Sequence, residues 1–354
     1  MAYTTIDDPS EYFQTAIYTG NASTLAVTSQ GNADIAPDWI WIKRRSADST
    51  HALFDSTRGR AKSSGSEAVD TEFNSPTDKD LISFDANGFT VGPANQRNTN
   101  GDSETFVAWQ WAANGGTTAT NDASSTSIGS IDSVIQANTD AGFSVVTWTG
   151  TGSAGTIAHG LGAIPSFILF KNRGADVAWS VYYGDPTDYL VLNTNAATVD
   201  NSNRFNDTAP TSTVFSVGDS NTVNADSNTY VAYCFANIQG YSKAGTYKGT
   251  GNVNGAFLYT GFKPAWIIVK ATDQDEWRIY DNKRANEFNV INVRLKAHAV
   301  SAESQDDNEC DFLSNGIKFR STGGGVNTNA QTYFYMAFAE SPFVSSKGTP
   351  TTAR

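Results

Sequence analysis

Cleaving a polysaccharide takes two carboxylates held at a fixed separation, one to give a proton and one to attack or activate water. Two aspartates stand at matched places in this chain. Asp55 and Asp281 are each followed three residues on by an arginine, Arg58 and Arg284, while Tyr183 and Pro186 occupy a third equivalent place. A recurring Asp-x-x-Arg reads as a local ion pair or turn cap rather than a catalytic acid. The three histidines, His51, His159 and His298, fall at non-equivalent places and have no metal-ligand spacing to one another or to Cys234 and Cys310. A nucleophilic thiol needs a neighbouring base and a polarising setting. Cys234, on the variable face of its strand, reads as a small residue filling a strand position, and Cys310 reads as core. The acidic runs DQDE (273–276) and QDDNE (305–309) lack the glycine and spacing of an EF-hand loop, so solvated loop is their reading, with a loop calcium ion as the alternative. Gly323-Gly324-Gly325 has no following Lys-Ser/Thr and no βαβ setting, so it is not a phosphate loop. Trp179 and Trp277, in AWSVYY and EWRIYD, are the candidates for stacking against a glycan. The same alternation fits a half-buried strand, which favours core. No catalytic residue, cofactor or metal ligand is assigned, and the expectation is a protein that is not an enzyme.

The elements that would position these residues come from composition and repetition. The chain has 354 residues, 24 Lys+Arg against 36 Asp+Glu, a net charge of −12, 17% charged and 12% aromatic residues, and 30 glycines. That charge argues against nucleic acid and against an anionic membrane, because neither phosphate surface would find a basic patch. No apolar run approaches a membrane span. The opening MAYTTIDDPSEYF lacks the basic and apolar regions of a secretory signal, which predicts none. Low charge, many aromatics and abundant turn residues predict an all-β globular chain.

Three segments share one strand: PDWIWIK (37–43), PSFILFK (165–171) and PAWIIVK (264–270). Each is preceded by an aromatic and a glycine turn, YTGN (18–21), WTGTG (148–152) and YKGTG (247–251). Each is followed by a second shared strand, TFVAWQWA (105–112), TYVAYCFA (229–236) and TYFYMAFA (332–339), at a Pro-to-Thr distance of 68, 64 and 68 residues. Such constancy marks three tandem copies. The expected organisation is a first β module over 1–114, serving as attachment end, and a Gly/Ser/Thr-rich linker over 115–140. A second module over 141–240, a third over 241–345 and a tail over 346–354 complete it. The Pro-led strand is apolar on both faces and so packs between layers. Asn87-Gly88 and Asn315-Gly316 are type I′ hairpin signals, which PTSTVFSVG (210–218) replaces in copy two. The expected fold is three tandem β-sandwiches of jelly-roll or lectin-like kind. The one helical expectation is a short segment around 286–303.

The stretches HGLGAIPSFILFKNRGADVAWSVYY (159–183), NTYVAYCFANIQGYSKAGTYKGTG (228–251), and DFLSNGIKFRS with TYFYMAFAESPF (311–343) resemble modules of tailed-bacteriophage structural proteins. Tail-fibre-like proteins of marine and cyanobacterial phages are the nearest likeness. TAIYTGN, APDWIWIKRRSADSTHALFDSTRG and ETFVAWQWAANG resemble the N-terminal module of the same family. The resemblance covers all but the linker and the tail, and its motifs mark a fold rather than a site. It implies a virion component made in the host cytoplasm: a tail fibre or tail-associated adhesin that contacts a host receptor, a surface glycan among the options. It also implies a homo-oligomer, a trimer among the options, held to other tail or capsid proteins. A capsid or tail decoration protein, such as a head fibre, is the alternative. A polysaccharide depolymerase tailspike ranks below both, since no carboxylate pair is confined to one copy.

Overall fold

The computed structural model describes residues 2–284 and 289–351, with the side chains of 306–308 left aside. The chain is 43% strand and 2% helical. Three large antiparallel sheets arise from successive stretches, called here units one, two and three. In each, the same three strands lie side by side: the strand after the unit's start, then the TYVA-type strand, then the Pro-led strand. These are Phe13–Thr19, Thr105–Trp111 and Trp39–Arg44 in unit one. Unit two has Phe143–Thr149, Thr229–Ala236 and Pro165–Asn172, and unit three has Ser242–Lys248, Thr332–Pro342 and Phe262–Ala271. The register is conserved too: Trp39 faces Trp111, Phe167 faces Phe235 and Trp266 faces Phe338.

The Pro-led strands are buried on both faces because each serves two cores. One face packs inward on its own unit: Ile40 and Ile42 with Phe54 and Phe89, Ile168 and Phe170 with Phe215, Ile267 and Val269 with Phe312 and Ile317. Smaller sheets close these private sandwiches, Leu25–Val27 with Gly88–Val91 and Leu81–Asp85 in unit one, and Gly155–Ala158 with Val214–Val217 in unit two. In unit three the corresponding strands Ser304–Leu313, Gly316–Phe319 and Phe257–Tyr259 continue the main sheet through Ile291–Lys296.

The other face of all three strands converges on one shared core. Trp39, Trp41, Trp109 and Trp111 meet Phe143, Phe167, Leu169, Tyr233 and Phe235 of unit two and Trp266, Ile268, Met336 and Phe338 of unit three. Trp39 stacks on Tyr233 at 4.5 Å, Trp111 meets Trp266 edge-on at 5.7 Å, and Phe167 stacks on Phe334 at 5.1 Å. Aromatic pairs at such distances add to the burial of their large areas.

Two expectations fail. The stretch 115–140 is not a linker. It forms Ala119–Asn121, a turn of helix Ala123–Thr126 capped by Asp122, and Ser133–Asn138, and both strands extend the sheet of unit two. Asn138 and Gln136 also bind unit one, through Ala113 O and the hydroxyls of Ser56 and Thr57. The helix expected around 286–303 is replaced by the strand Ile291–Lys296, with residues 286–288 outside those described. INVRLK satisfies either period, and pairing with Trp277–Asp281 decides for strand. The tail turns back at residues 345–349, and Ser346 binds Asp7.

Trp111 touches Phe13, Trp39, Phe235, Trp266 and Phe338, so it joins all three units. Trp111→Ala is expected to cost about 3–5 kcal/mol, read as a lowered urea midpoint. A loss under about 1 kcal/mol would contradict the shared core.

Candidate functional site

The residues that looked most like chemistry lie in the seams between units, and they recur in cyclic order. In the seam of units two and one, the Tyr233 hydroxyl donates to Asp55 Oδ2 at 2.8 Å, and Arg58 joins Asp55, Glu72 and the Tyr233 oxygen. In the seam of units one and three, Trp109 Nε1 donates to Asp281 Oδ2 at 3.0 Å, and Arg284 joins Asp281 and Glu303. The outer end of each network is closed by an arginine of the neighbouring unit: Arg173 on Glu72, Arg45 on Glu303. The third seam keeps the geometry without the charges. There Met336 stands for the aromatic donor, Tyr183 for the aspartate and Thr272 for the arginine, and Tyr183 packs on Phe334. One backbone bond is common to all three seams: Glu72 N–H to Arg173 O, Glu303 N–H to Arg45 O, and Thr198 N–H to Thr272 O, at 2.8–3.0 Å. The Asp-x-x-Arg motif is thus both a cap, through Arg58 N–H and Arg284 N–H on the aspartate Oδ1, and a buried ion pair. Buried charges left without partners are costly, so these networks fix how the units dock.

Trp179 and Trp277 do not form a glycan platform. Both are fully buried, and each indole N–H reaches into the next unit, Trp179 to Gly65 O and Trp277 to Val191 O, both at 2.9 Å. His51 is their counterpart in unit one. His51 directly precedes Ala52, which pairs with Ile42; Trp179 directly precedes Ser180, which pairs with Phe170; and Trp277 pairs with Lys270. Its Nδ1 accepts from Trp41 Nε1 at 2.8 Å, so Nε2–H donates to Lys296 O and Ala299 O of unit three. Burial holds its pKa well below the ordinary 6.5. The equivalence was hidden because imidazole and indole share only the donor. His159 and His298 also accept backbone N–H bonds, from Leu161 and Trp277.

The remaining motifs resolve into packing. Cys234 and Cys310 are buried free thiols, pushed up in pKa by desolvation. Gly325, at φ +81°, lies where a Cβ would strike the Arg278 guanidinium, so the glycine run makes room for that side chain. Glu276 of the first acidic run pairs with Lys296 and Arg278. Among the described residues, no group of three or more His, Cys, Asp or Glu side chains is placed to hold a metal ion.

A recurrent feature that carried no chemical reading is the lysine closing each Pro-led strand. Lys43, Lys171 and Lys270 follow the shared-core face by the period of two and are fully buried. Lys43 donates to Arg44 O and Val300 O, Lys171 to Val69 O and Val177 O, and Lys270 to Ala271 O and Asp273 O. They plug one end of the shared core with charge directed at carbonyls.

Beyond that end, unit two opens into a groove of about 600 Å³. The sheet face that carries Val145, Val231 and Leu169 in the core changes to Thr147, Thr149, Thr229 and Arg173. The two added strands form the groove's outer part, with Thr120 opposite Val134 and Val134 opposite Thr147. Among the described residues, units one and three have no such wall, because Phe13–Thr19 and Ser242–Lys248 are edge strands there.

Antiparallel β-sheets packed around one aromatic core, with a groove built on one of them, define an all-β class of structure. The chain belongs to the family described as a domain of unknown function, DUF7483, whose model matches residues 8–342. No curated protein matches it.

Burial lowers the pKa of Lys43, Lys171 and Lys270 from 10.5 to about 8 each. Between those values the unfolded chain binds more protons than the folded one, so stability rises with pH. Ionisation of unfolded cysteine and tyrosine, ordinarily near 9 and 10, acts oppositely at higher pH, because burial raises both in the fold. The urea midpoint is therefore expected to climb from about pH 8 to about pH 9. A variant with all three lysines changed to methionine should lose that climb, and an unchanged climb would contradict the assignment.

Proposed function

We propose that this protein is a non-enzymatic virion component of a tailed bacteriophage: a tail fibre or tail-associated adhesin that meets a receptor on the host surface. The observation that carries the reading is the welding of three sandwich units into one body by a common core and cyclic seams. A particle exposed outside the cell benefits from such a scaffold, since loops can vary at its rim while the core stays fixed. The resemblance of its repeated strands to phage tail-fibre modules supports the same reading, and so does the conversion of the recurrent aspartates, histidine and tryptophans to structural use.

Its partners in this reading are other tail or capsid proteins and, at the host, a surface glycan. A homo-oligomer, trimeric or otherwise, would assemble through outer faces, because the core around which three units converge is already filled within one chain. The second reading, a capsid or tail decoration protein such as a head fibre, draws on the same rigidity.

Antibody labelling of purified virions decides between them. Label at the tail tip, with isolated protein competing against phage adsorption, is the expected result. Label over the capsid with no competition would favour decoration, and protein absent from virions would overturn both.

A further inference from the structure

We propose that the groove of unit two is a binding site for a neutral saccharide chain. The inference rests on the proposed host-contacting role only for the source of the saccharide, not for the site itself. Three observations carry it.

The first is construction. Among the described residues, the strands Ala119–Asn121 and Ser133–Asn138 are additions that the other two sheets lack, and they extend a sheet whose shared core and seams match theirs. What they add is a wall, and the wall turns a sheet end into a concavity of about 600 Å³. That volume falls in the usual range for ligand pockets.

The second is chemistry. Hydroxyls dominate the lining: Thr120, Ser130, Thr147, Thr149, Thr151 and Thr229. Hydroxyls both donate and accept, which suits a ligand made of hydroxyls. Val134 supplies an apolar patch for sugar C–H faces, while Trp148 turns to the other side of the sheet, against Phe170, Phe215 and Tyr230 of the private core.

The third is electrostatics. Arg173 is already bound to Glu72 through Nε and Nη2, at 2.8 and 3.1 Å, and Asp132 adds a negative charge. With Arg173 engaged and no second cation among the lining residues, the groove offers little to draw phosphate, sulfate or uronate. Because the groove lies on a sheet face and not along a free edge, it offers no ladder for an added peptide strand.

The test is a panel of gluco-, galacto-, manno- and rhamno-oligosaccharides, with uronic-acid and sulfated oligosaccharides as the acidic arm, titrated calorimetrically into the intact protein. Thr149→Trp and Thr229→Trp each fill the groove from an exposed position. The double variant Phe257→Ala/Tyr259→Ala removes the exposed aromatic pair on unit three, each 47% exposed, as a control surface. Expected is binding of at least one neutral oligosaccharide, weakened at least about tenfold, or 1.4 kcal/mol, by whichever groove variant keeps the wild-type thermal transition, and unchanged in the control. No binding across the neutral panel would overturn the proposal, as would binding confined to the acidic arm or lost only in the aromatic variant. Because isolated protein is used, absence from virions would remove the host-surface role and leave this result standing.

Discussion

Everything in this molecule depends on the contact of three sheets over one aromatic core. Each Pro-led strand offers two apolar faces, and a single sandwich can bury only one of them. An isolated unit would leave Trp39 and Trp41, Phe167 and Leu169, or Trp266 and Ile268 in water. Each such side chain is worth about 1.5–3 kcal/mol on burial. Bringing the three faces together is therefore the event that makes the chain fold, and the seams, lysine plugs and groove are arranged around it.

The seams show how one geometry tolerates different chemistry. Two use an aspartate, an arginine and a donor from the next unit, while the third substitutes Tyr183, Met336 and Thr272. The bond kept in all three is between backbones. Side chains then set the docking angle and exclude alternatives, since a misdocked unit would strand Asp55 or Asp281 without its Tyr233 or Trp109 donor. Internal charge here serves specificity of assembly rather than catalysis.

Much of this was legible in the sequence. The repeat, its strands and the doubly apolar Pro-led segments follow from spacing and alternation, and the reading of Asp-x-x-Arg as cap and ion pair holds. What spacing could not supply was the relation between copies. Whether the second apolar face meets a layer of its own unit or of another leaves no mark on a local pattern, so three tandem modules were expected where one shared core exists. The stretch 115–140 was misread for a different reason. Its strands carry Thr120 toward a groove and Gln136 toward a seam and turn Ser133 onto Ala158 O, so the apolar alternation that betrays a strand is missing. His51 went unmatched to Trp179 and Trp277 because residue type changed while position did not. The groove was invisible in sequence for the same reason that makes it interesting: its threonines read like any solvated strand face.

Scanning calorimetry of the intact protein tests the central claim most directly. If the three units fold only around their common core, unfolding is a single cooperative transition with a calorimetric enthalpy equal to the van't Hoff enthalpy. Three separable transitions, or a calorimetric enthalpy near three times the van't Hoff value, would mean independent domains and would contradict the account.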